Sequence, residues 1–302
     1  MRKPNRKFDE PAGVKPRNRT GNRSAVQLSN GMSHQARKRF GQNFLHDQSV
    51  ISRIISSINP AAGDHLLEIG PGQGALTRPL AASGARLDCV ELDRDLATYL
   101  QKEFAGSPRV TIYQHDILKF DLHQLTTSPG QLRIIGNLPY NISTPVLFTL
   151  LQQHSLIRDM TFMLQLEVVQ RMAASAGDKN YGRLSLMLQY YCEVIHLFNV
   201  PSAAFTPRPK VSSAIVRLVP HQQFPVQAKD PTWLQIVIRT AFNQRRKTLK
   251  NSLKAIISDE VLASLSIDGS LRPENLTLAD YVLISDATSG ANRIGELNET
   301  QQ

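Results

Sequence analysis

From position 47 onward, apolar residues alternate between helical spacing and short unbroken runs, and this alternation predicts an α/β fold built on a doubly wound parallel sheet. Asp47 is placed to cap a first helix, whose Val50, Ile51, Ile54, Ile55 and Ile58 recur on one face. Strand-like runs follow over 65–69, 86–92, 109–113 and 132–136, separated by helical periods around 75–83 and 93–104, so these four strands should lie side by side. Further strands are expected over 160–166, 191–200 and 214–219, the last two close enough in sequence to pair antiparallel. After Pro220 the strand signal stops and short helical segments take over, the longest from Trp233 to Ile257, which places a domain boundary near 220. No internal repeat is visible.

The first 36 residues fit none of this. They are rich in Arg, Asn, Pro, Gly and Ser without a hydrophobic period, and are expected to be a disordered basic extension; 291–302 are expected to be a tail. The formal charge of +10 is concentrated there: residues 1–39 carry +9, whereas 40–302 carry only +1. Within the nearly neutral body, however, residues 205–260 hold ten basic against three acidic side chains, so two separate zones can meet a polyanion. No apolar run approaches the roughly 20 residues a bilayer span needs, and no apolar segment follows the basic start, so the chain is expected to be soluble, not exported and not membrane-bound. Cys89 and Cys192 lie inside strand-like stretches without a metal-spaced partner, which argues against a disulfide framework and a metal site.

The first candidate for chemistry is Glu68-Ile69-Gly70-Pro71-Gly72-Gln73-Gly74, a glycine turn between a strand and a helix. Gly70 and Gly72 can adopt positive φ and let a ligand approach the backbone. The missing Gly-Lys-Ser/Thr ending excludes a P-loop. Glu91 ends the next strand, 21 residues after Gly70, where a carboxylate can accept from both hydroxyls of a ribose; a plain surface carboxylate at a helix start is the other possibility. Asp116 closes the third strand and could accept from an adenine amino group, or serve only as a helix cap. Leu92 and Ile117, next to these carboxylates, complete the expected cofactor wall.

Directly after the fourth strand stands Asn137-Leu138-Pro139-Tyr140, at the edge where open α/β sheets bind ligands. This turn, at this distance from the glycine turn, resembles the adenine-N6 methyltransferases. With Arg39-Phe40-Gly41-Gln42-Asn43-Phe44-Leu45 before it and Phe205-Thr206-Pro207 after it, the chain is similar to the ribosomal RNA adenine dimethyltransferase family from about Arg37 to Ile284. Its bacterial small-subunit branch is the nearest in pattern, because Ala241-Phe242-Asn243-Gln244-Arg245-Arg246-Lys247 resembles that branch's C-terminal segment. The resemblance implies a Rossmann-like S-adenosylmethionine-dependent methyltransferase domain over 37–220, a small helical RNA-binding domain over 221–290, and dimethylation of two adjacent adenines near the 3′ end of 16S ribosomal RNA in the immature 30S subunit, carried out by a cytoplasmic monomer. It also implies cofactor contacts from Gln42, Asn43, Leu45 and Asn137, and a second stacking wall for the target base at Phe205, for which a core phenylalanine is the alternative.

These residue types suit the reaction. Adenine N6 is a poor nucleophile because its lone pair is delocalised into the ring. The Asn137 side-chain oxygen and the Leu138 carbonyl can accept its two hydrogens and aim the lone pair, Pro139 stiffens the turn, and Tyr140 offers a π-face to the base. The base must be unpaired or flipped to arrive there. Arg245, Arg246, Lys247 and Lys250, expected on the long C-terminal helix, are the candidates for gripping RNA phosphates, although a solvated basic face is the plainer alternative. Arg208, Ser212 and Leu166 depart from the family pattern, at positions that bear on RNA contacts and not on the cofactor. Three rivals remain: a 23S ribosomal RNA methyltransferase of the macrolide-resistance type, a non-catalytic RNA-binding assembly factor on the same fold, and an NAD-dependent oxidoreductase, which would leave the Asn-Leu-Pro-Tyr turn without a role.

Overall fold

The computed structural model describes residues 25–27, 33–35, 43–244 and 246–290. Within the basic extension, β1 (Ala25–Gln27) and β2 (Ser33–Gln35) pair antiparallel as part of a unit of their own, Met1–Ala36. Three residues are too few for an alternating pattern to register in the sequence. In the body, Asp47 caps α1 (Gln48–Ile58) as expected, its carboxylate accepting from the backbone of Ser49 and Val50, and Ile51, Ile54 and Ile58 are buried.

Seven strands form one sheet in the order β6 (Val110–Gln114), β5 (Arg86–Glu91), β4 (His65–Ile69), β7 (Leu132–Asn137), β8 (Ile157–Gln165), β11 (Ser213–Pro220), β9 (Cys192–Val200). The first five are parallel; β11 runs antiparallel to both β8 and β9. Every residue of β4 is buried, because a central parallel strand is covered on both faces; this suits Leu66, Leu67 and Ile69, and its two polar members, His65 and Glu68, are buried with them. The two faces separate cleanly. Leu67, Ile69, Val90 and Ile134 pack toward α4 (Ser143–Leu151), whereas Leu66, Leu87, Cys89 and Ile135 pack toward α1 and α2 (Thr77–Ala82). The chain leaves β4 toward β5 on one side and returns to β7 on the other. Strand order therefore reverses between the C-terminal ends of β4 and β7, where such sheets open a crevice.

At the opposite end of these strands Arg133, 4% exposed, donates to Asp64 at 2.7 Å, to Asp159 at 3.2 Å and to the Ile58 carbonyl at 2.7 Å. Arg217 also donates to Asp159, at 2.6 Å. Burial works against the Asp64 charge, but the Ala61 N–H and Arg133 outweigh it and hold that carboxyl below its usual range.

The region after 220 differs from the sequence expectation in one respect. Instead of one long helix from Trp233 to Ile257 there are two, α7 (Pro231–Phe242) and α8 (Leu249–Leu253), with a turn between them in which Lys247 N–H donates to the Gln244 carbonyl. The first turn of α8 spends its amides on another part of the chain: Leu249 and Lys250 donate to the carbonyls of Leu271 and Gly269. These tertiary bonds override the continuous helical period. Together with α9 (Asp259–Ser264) and α10 (Leu278–Thr288), these helices bury Leu234, Val237, Ile238 and Tyr281 against Leu186, Met187 and Tyr190 of α6 (Arg183–Tyr191), so this core draws residues from both sides of position 220.

Both cysteines are buried thiols, and burial pushes Cys192 up to about 12. Among the described residues no group of three or more His, Cys, Asp or Glu is arranged to hold a metal ion, and no helix is long and apolar enough to cross a membrane.

Candidate active site

Beyond β4 the chain turns through Gly70, Gly72 and Gly74 at φ +65°, +57° and +81°, the left-handed region that a side chain would strain. Gly70 N–H donates to the Val90 carbonyl at 2.9 Å and ties the turn to β5. The carboxylate of Glu91, 6% exposed, accepts from Gly72 N–H at 3.0 Å with one oxygen and from Asp93 N–H at 2.8 Å with the other. Burial raises its pKa, and these two backbone donors oppose the shift. An ionised carboxylate has about four acceptor positions. Backbone N–H groups thus fix the side chain without exhausting its acceptor capacity, which leaves room for a ligand. Leu92 beside it is 48% exposed. Asp116 caps the short turn Ile117–Lys119 through Leu118 N–H, at 3.0 Å; the capping role holds for one of its oxygens.

At the end of β7 the Asn137 side-chain nitrogen donates to the Asn43 carbonyl at 3.2 Å. This bond settles which way the amide faces: its nitrogen is committed to the loop before β3 (Phe44–Leu45), which leaves the oxygen as an acceptor. Leu138 N–H donates to the Met163 carbonyl at 3.3 Å, and Ile142 N–H closes the turn on the Pro139 carbonyl at 3.1 Å. The Tyr140 hydroxyl lies 2.8 Å from the Ser213 hydroxyl, so the far end of this half-buried ring is pinned to the start of β11, and burial raises its phenol.

These features share one cavity of about 290 Å³. Its wall brings together Asn43, Leu45, Gly70, Gly72, Glu91, Leu92, Asp116 and Ile117 with the whole Asn137-Leu138-Pro139-Tyr140 turn, all of them singled out in the sequence.

Phe205 is placed elsewhere. It is 3% exposed in β10 (Phe205–Thr206), which pairs antiparallel with β3 so that Phe205 lies opposite Leu45, and it joins the core on the α1 and α2 side. It is not among the residues that line the cavity. The ribbon instead ties the loop before α1 to the segment before β11, helped by His46 N–H donating to the Ala204 carbonyl. Gln42 and Arg245 lie outside the described residues. Arg246 and Lys247 are exposed in the turn between α7 and α8, not on a helix, and Lys250 is the second residue of α8 with its ammonium 3.9 Å from Asp259.

The cavity also has lining residues that the sequence did not mark as ligands. Phe44 faces the glycine turn, where a Cβ at Gly72 would stand 3.5 Å from its ring. The side-chain nitrogen of Gln73 is buried with no hydrogen-bond partner. Glu68, 2% exposed between Cys89 and Ile135 of the neighbouring strands, has its carboxyl pushed up to about 7, first by burial and also by the Glu91 charge. An acid set between Leu67 and Ile69 in a strand-like run was the available signal for it.

The five parallel strands, the antiparallel β11 inserted between β8 and β9, and a cavity at the crossover with a carboxylate at the end of β5 define the class of Rossmann-like S-adenosylmethionine-dependent methyltransferases. The fold is shared with the crystal structure of a dimethyladenosine transferase from Plasmodium falciparum (TM-score 0.69, 24% identity, covering 85% of this chain and 98% of that one). It is also shared with that of the 23S rRNA methyltransferase ErmE (TM-score 0.63, 24% identity, 82% and 100%). Residues 33–289 match the family model described as ribosomal RNA adenine dimethylase, and the chain belongs to that family. Among its relatives, the ribosomal RNA small subunit methyltransferase A of Pseudomonas putida is 58% identical over 253 residues, 84% of this chain and 95% of that protein. The protein of the same description from Marinobacter nauticus is 56% identical over 267 residues, 88% and 96%.

Proposed function

We propose that this chain transfers methyl groups from S-adenosylmethionine to the exocyclic nitrogens of two adjacent adenines near the 3′ end of 16S ribosomal RNA, giving N6,N6-dimethyladenosine at both and consuming four cofactor molecules. The observation that carries the proposal is that Asn137, its amide oxygen left free to accept, stands in the wall of the same cavity as Gly70 and Glu91.

The residues present fit the cofactor. A side chain at Gly70 would project into open space, so the backbone there can be approached closely; Glu91 keeps acceptor capacity for ribose hydroxyls; and the unpaired Gln73 amide offers a buried donor to a carboxylate. Leu92, Ile117 and Asp116 supply an apolar wall and an acceptor for an adenine edge. When bound, S-adenosylmethionine supplies a methyl group on a sulfonium, an activated donor, so no strong base is required of the protein.

What remains for the protein is to bind and orient the nucleophile. In the first transfer the Asn137 oxygen and the Leu138 carbonyl accept the two N6 hydrogens and draw the nitrogen out of conjugation with the ring, and in the second they hold the one that remains; each time one N6 proton leaves to solvent after the methyl group has moved. Tyr140, pinned through Ser213, holds its ring still as a platform for the flipped base. Phe205 acts through the β10–β3 ribbon, which anchors Asn43 and Leu45 over the cavity. Arg246, Lys247 and Lys250, with Arg245, grip RNA phosphates from the helical segment, residues 221–290, while 37–220 carry the catalytic site. The protein acts as a cytoplasmic monomer on the immature 30S subunit.

Purified protein incubated with unmodified small and large ribosomal subunits and labelled cofactor is expected to label the small subunit alone. Nucleoside analysis should recover N6,N6-dimethyladenosine. Label in large-subunit RNA, or binding to small subunits without transfer at saturating cofactor, would overturn the proposal.

A further inference from the structure

Glu68 takes no part in holding the target base, yet it lines the cavity. It stands two positions before Gly70 in β4, on the face of the sheet where Leu66 meets α1 and α2. Its carboxyl oxygen lies 3.9 Å from the Cys89 thiol of β5, and Ile135 of β7 is its neighbour on the other side. Cys89 carries no charge there, because burial pushes its thiol well above the usual range. From the end of β5, Glu91 adds a like charge. The cation that bears on Glu68, Arg78 at the start of α2, is already held by Glu103 at 2.6 and 2.9 Å and by the Gly74 carbonyl at 3.1 Å. Two carboxyls thus face one cavity, and the more buried of them has its pKa raised to about 7.

The two ligands that alternate in such a cavity differ chiefly in charge. S-adenosylmethionine carries a sulfonium; S-adenosylhomocysteine, left once the methyl group has moved, carries a neutral thioether. A cavity shaped for the larger donor also admits the smaller product, so shape alone discriminates weakly between them. An anion in the wall discriminates by charge, and does so through space, without touching the ligand. Opposite unit charges roughly 8 Å apart, at an effective dielectric near 20, attract by an amount equal to about thirtyfold in affinity. The thioether gains none of this.

We infer that Glu68 makes the cavity prefer the charged methyl donor to its neutral spent form, ionising when the sulfonium arrives and taking a proton back when the thioether is left. The inference rests on the methyltransferase function proposed above. The protons balance over a cycle. Near pH 7, donor binding expels the Glu68 proton to solvent, transfer releases one proton from N6, and Glu68, with no cation left beside it, recovers its own from solvent. Only the N6 proton is produced overall. Calorimetric titration of full-length wild type and Glu68→Gln with each ligand, at pH 6, 7 and 8 in buffers of two ionisation enthalpies, reads affinity and proton exchange together. Relative to the variant, the wild-type preference for donor over product should rise about three- to tenfold from pH 6 to pH 8. At pH 7 the donor should release more protons than the product does, and this excess should vanish in Glu68→Gln. Titration of the ligands' own groups is common to both proteins and cancels in the comparison.

A variant that loses affinity for both ligands by one common factor would make Glu68 a contact to a part they share, and would overturn the inference. So would a variant whose preference follows the wild-type curve with pH. If Glu68→Gln does not fold, wild type decides: equal proton release by the two ligands at pH 7 overturns the inference, and a larger release by the donor supports it. A wild-type protein that binds neither ligand would remove the cofactor assignment itself, and this role of Glu68 with it.

Discussion

Replacing Glu68 with Gln removes a carboxyl that the fold holds in an environment hostile to its charge. Glu68 is 2% exposed, flanked by Cys89 and Ile135, and near enough to Glu91 to feel its charge; its pKa rises from 4.5 to about 7. The folded protein thus binds this proton more tightly than the unfolded chain does. Between about pH 4.5 and 7 the unfolded state carries fewer protons at this site, so stability falls as pH rises through that window and levels off above it. At about 1.36 kcal/mol per pKa unit, the difference amounts to roughly 3 kcal/mol at pH 8. Gln, nearly the same size and always neutral, escapes this cost. Denaturant unfolding of wild type and Glu68→Gln without ligand, at half-unit steps from pH 5 to 8.5, should show the variant gaining up to about 3 kcal/mol over wild type at the alkaline end, with the gap closing toward pH 5. Glu68 also lines the cavity, where a carboxylate would favour a cationic cofactor, so the stabilised variant should bind S-adenosylmethionine more weakly at pH 8. A stability difference that does not change with pH would refute the linkage, and with it the view that Glu68 carries a displaced proton equilibrium.

Two structural substitutions test the frame that positions the site. Gly136→Ala should destabilise by about 1–3 kcal/mol and slow methyl transfer, because its Cβ would stand 2.9 Å from the Ile69 carbonyl oxygen and push β7, with Asn137 at its end, away from the glycine turn; urea unfolding with single-turnover rates measures both effects. Arg133→Met should cost about 3–5 kcal/mol at pH 7 by leaving the half-buried Asp64 and the buried Asp159 with reduced compensation, and thermal melts at pH 7 and pH 4 should show the loss shrinking on acidification as Asp64, no longer held below its usual range by Arg133, takes up a proton.

Much of this architecture can be read from short-range pattern. The apolar Leu66, Leu67 and Ile69 of β4, a glycine turn immediately after it, Glu91 at the end of β5 and Asn137 at the end of β7 are each local signals, and the parallel topology forces three strand ends with separate sequence positions to one edge. What pattern could not supply is pairing at a distance. Phe205 is turned into the core by a two-residue ribbon with Leu45, 160 positions earlier, and no periodicity in either segment announces it. The helical period across 233–257 is real, yet Gly269 and Leu271 take the amides of Leu249 and Lys250 and divide the helix, moving Arg246 and Lys247 into a turn. The direction of the Asn137 amide depends on the Asn43 carbonyl, 94 positions earlier. Residue identity announced the chemistry; only tertiary contact fixes the orientation of the groups that perform it.

The account stands on Asn137 serving the acceptor base in a cavity that also holds the methyl donor. Asn137→Ala, assayed side by side for S-adenosylmethionine binding by calorimetry and for methyl transfer to unmodified small subunits, addresses this most directly. Loss of one preorganised polar group at a reacting centre predicts a fall in transfer of at least about 10²- to 10³-fold, with cofactor affinity within a few-fold of wild type. Near-normal transfer by the variant would contradict the account.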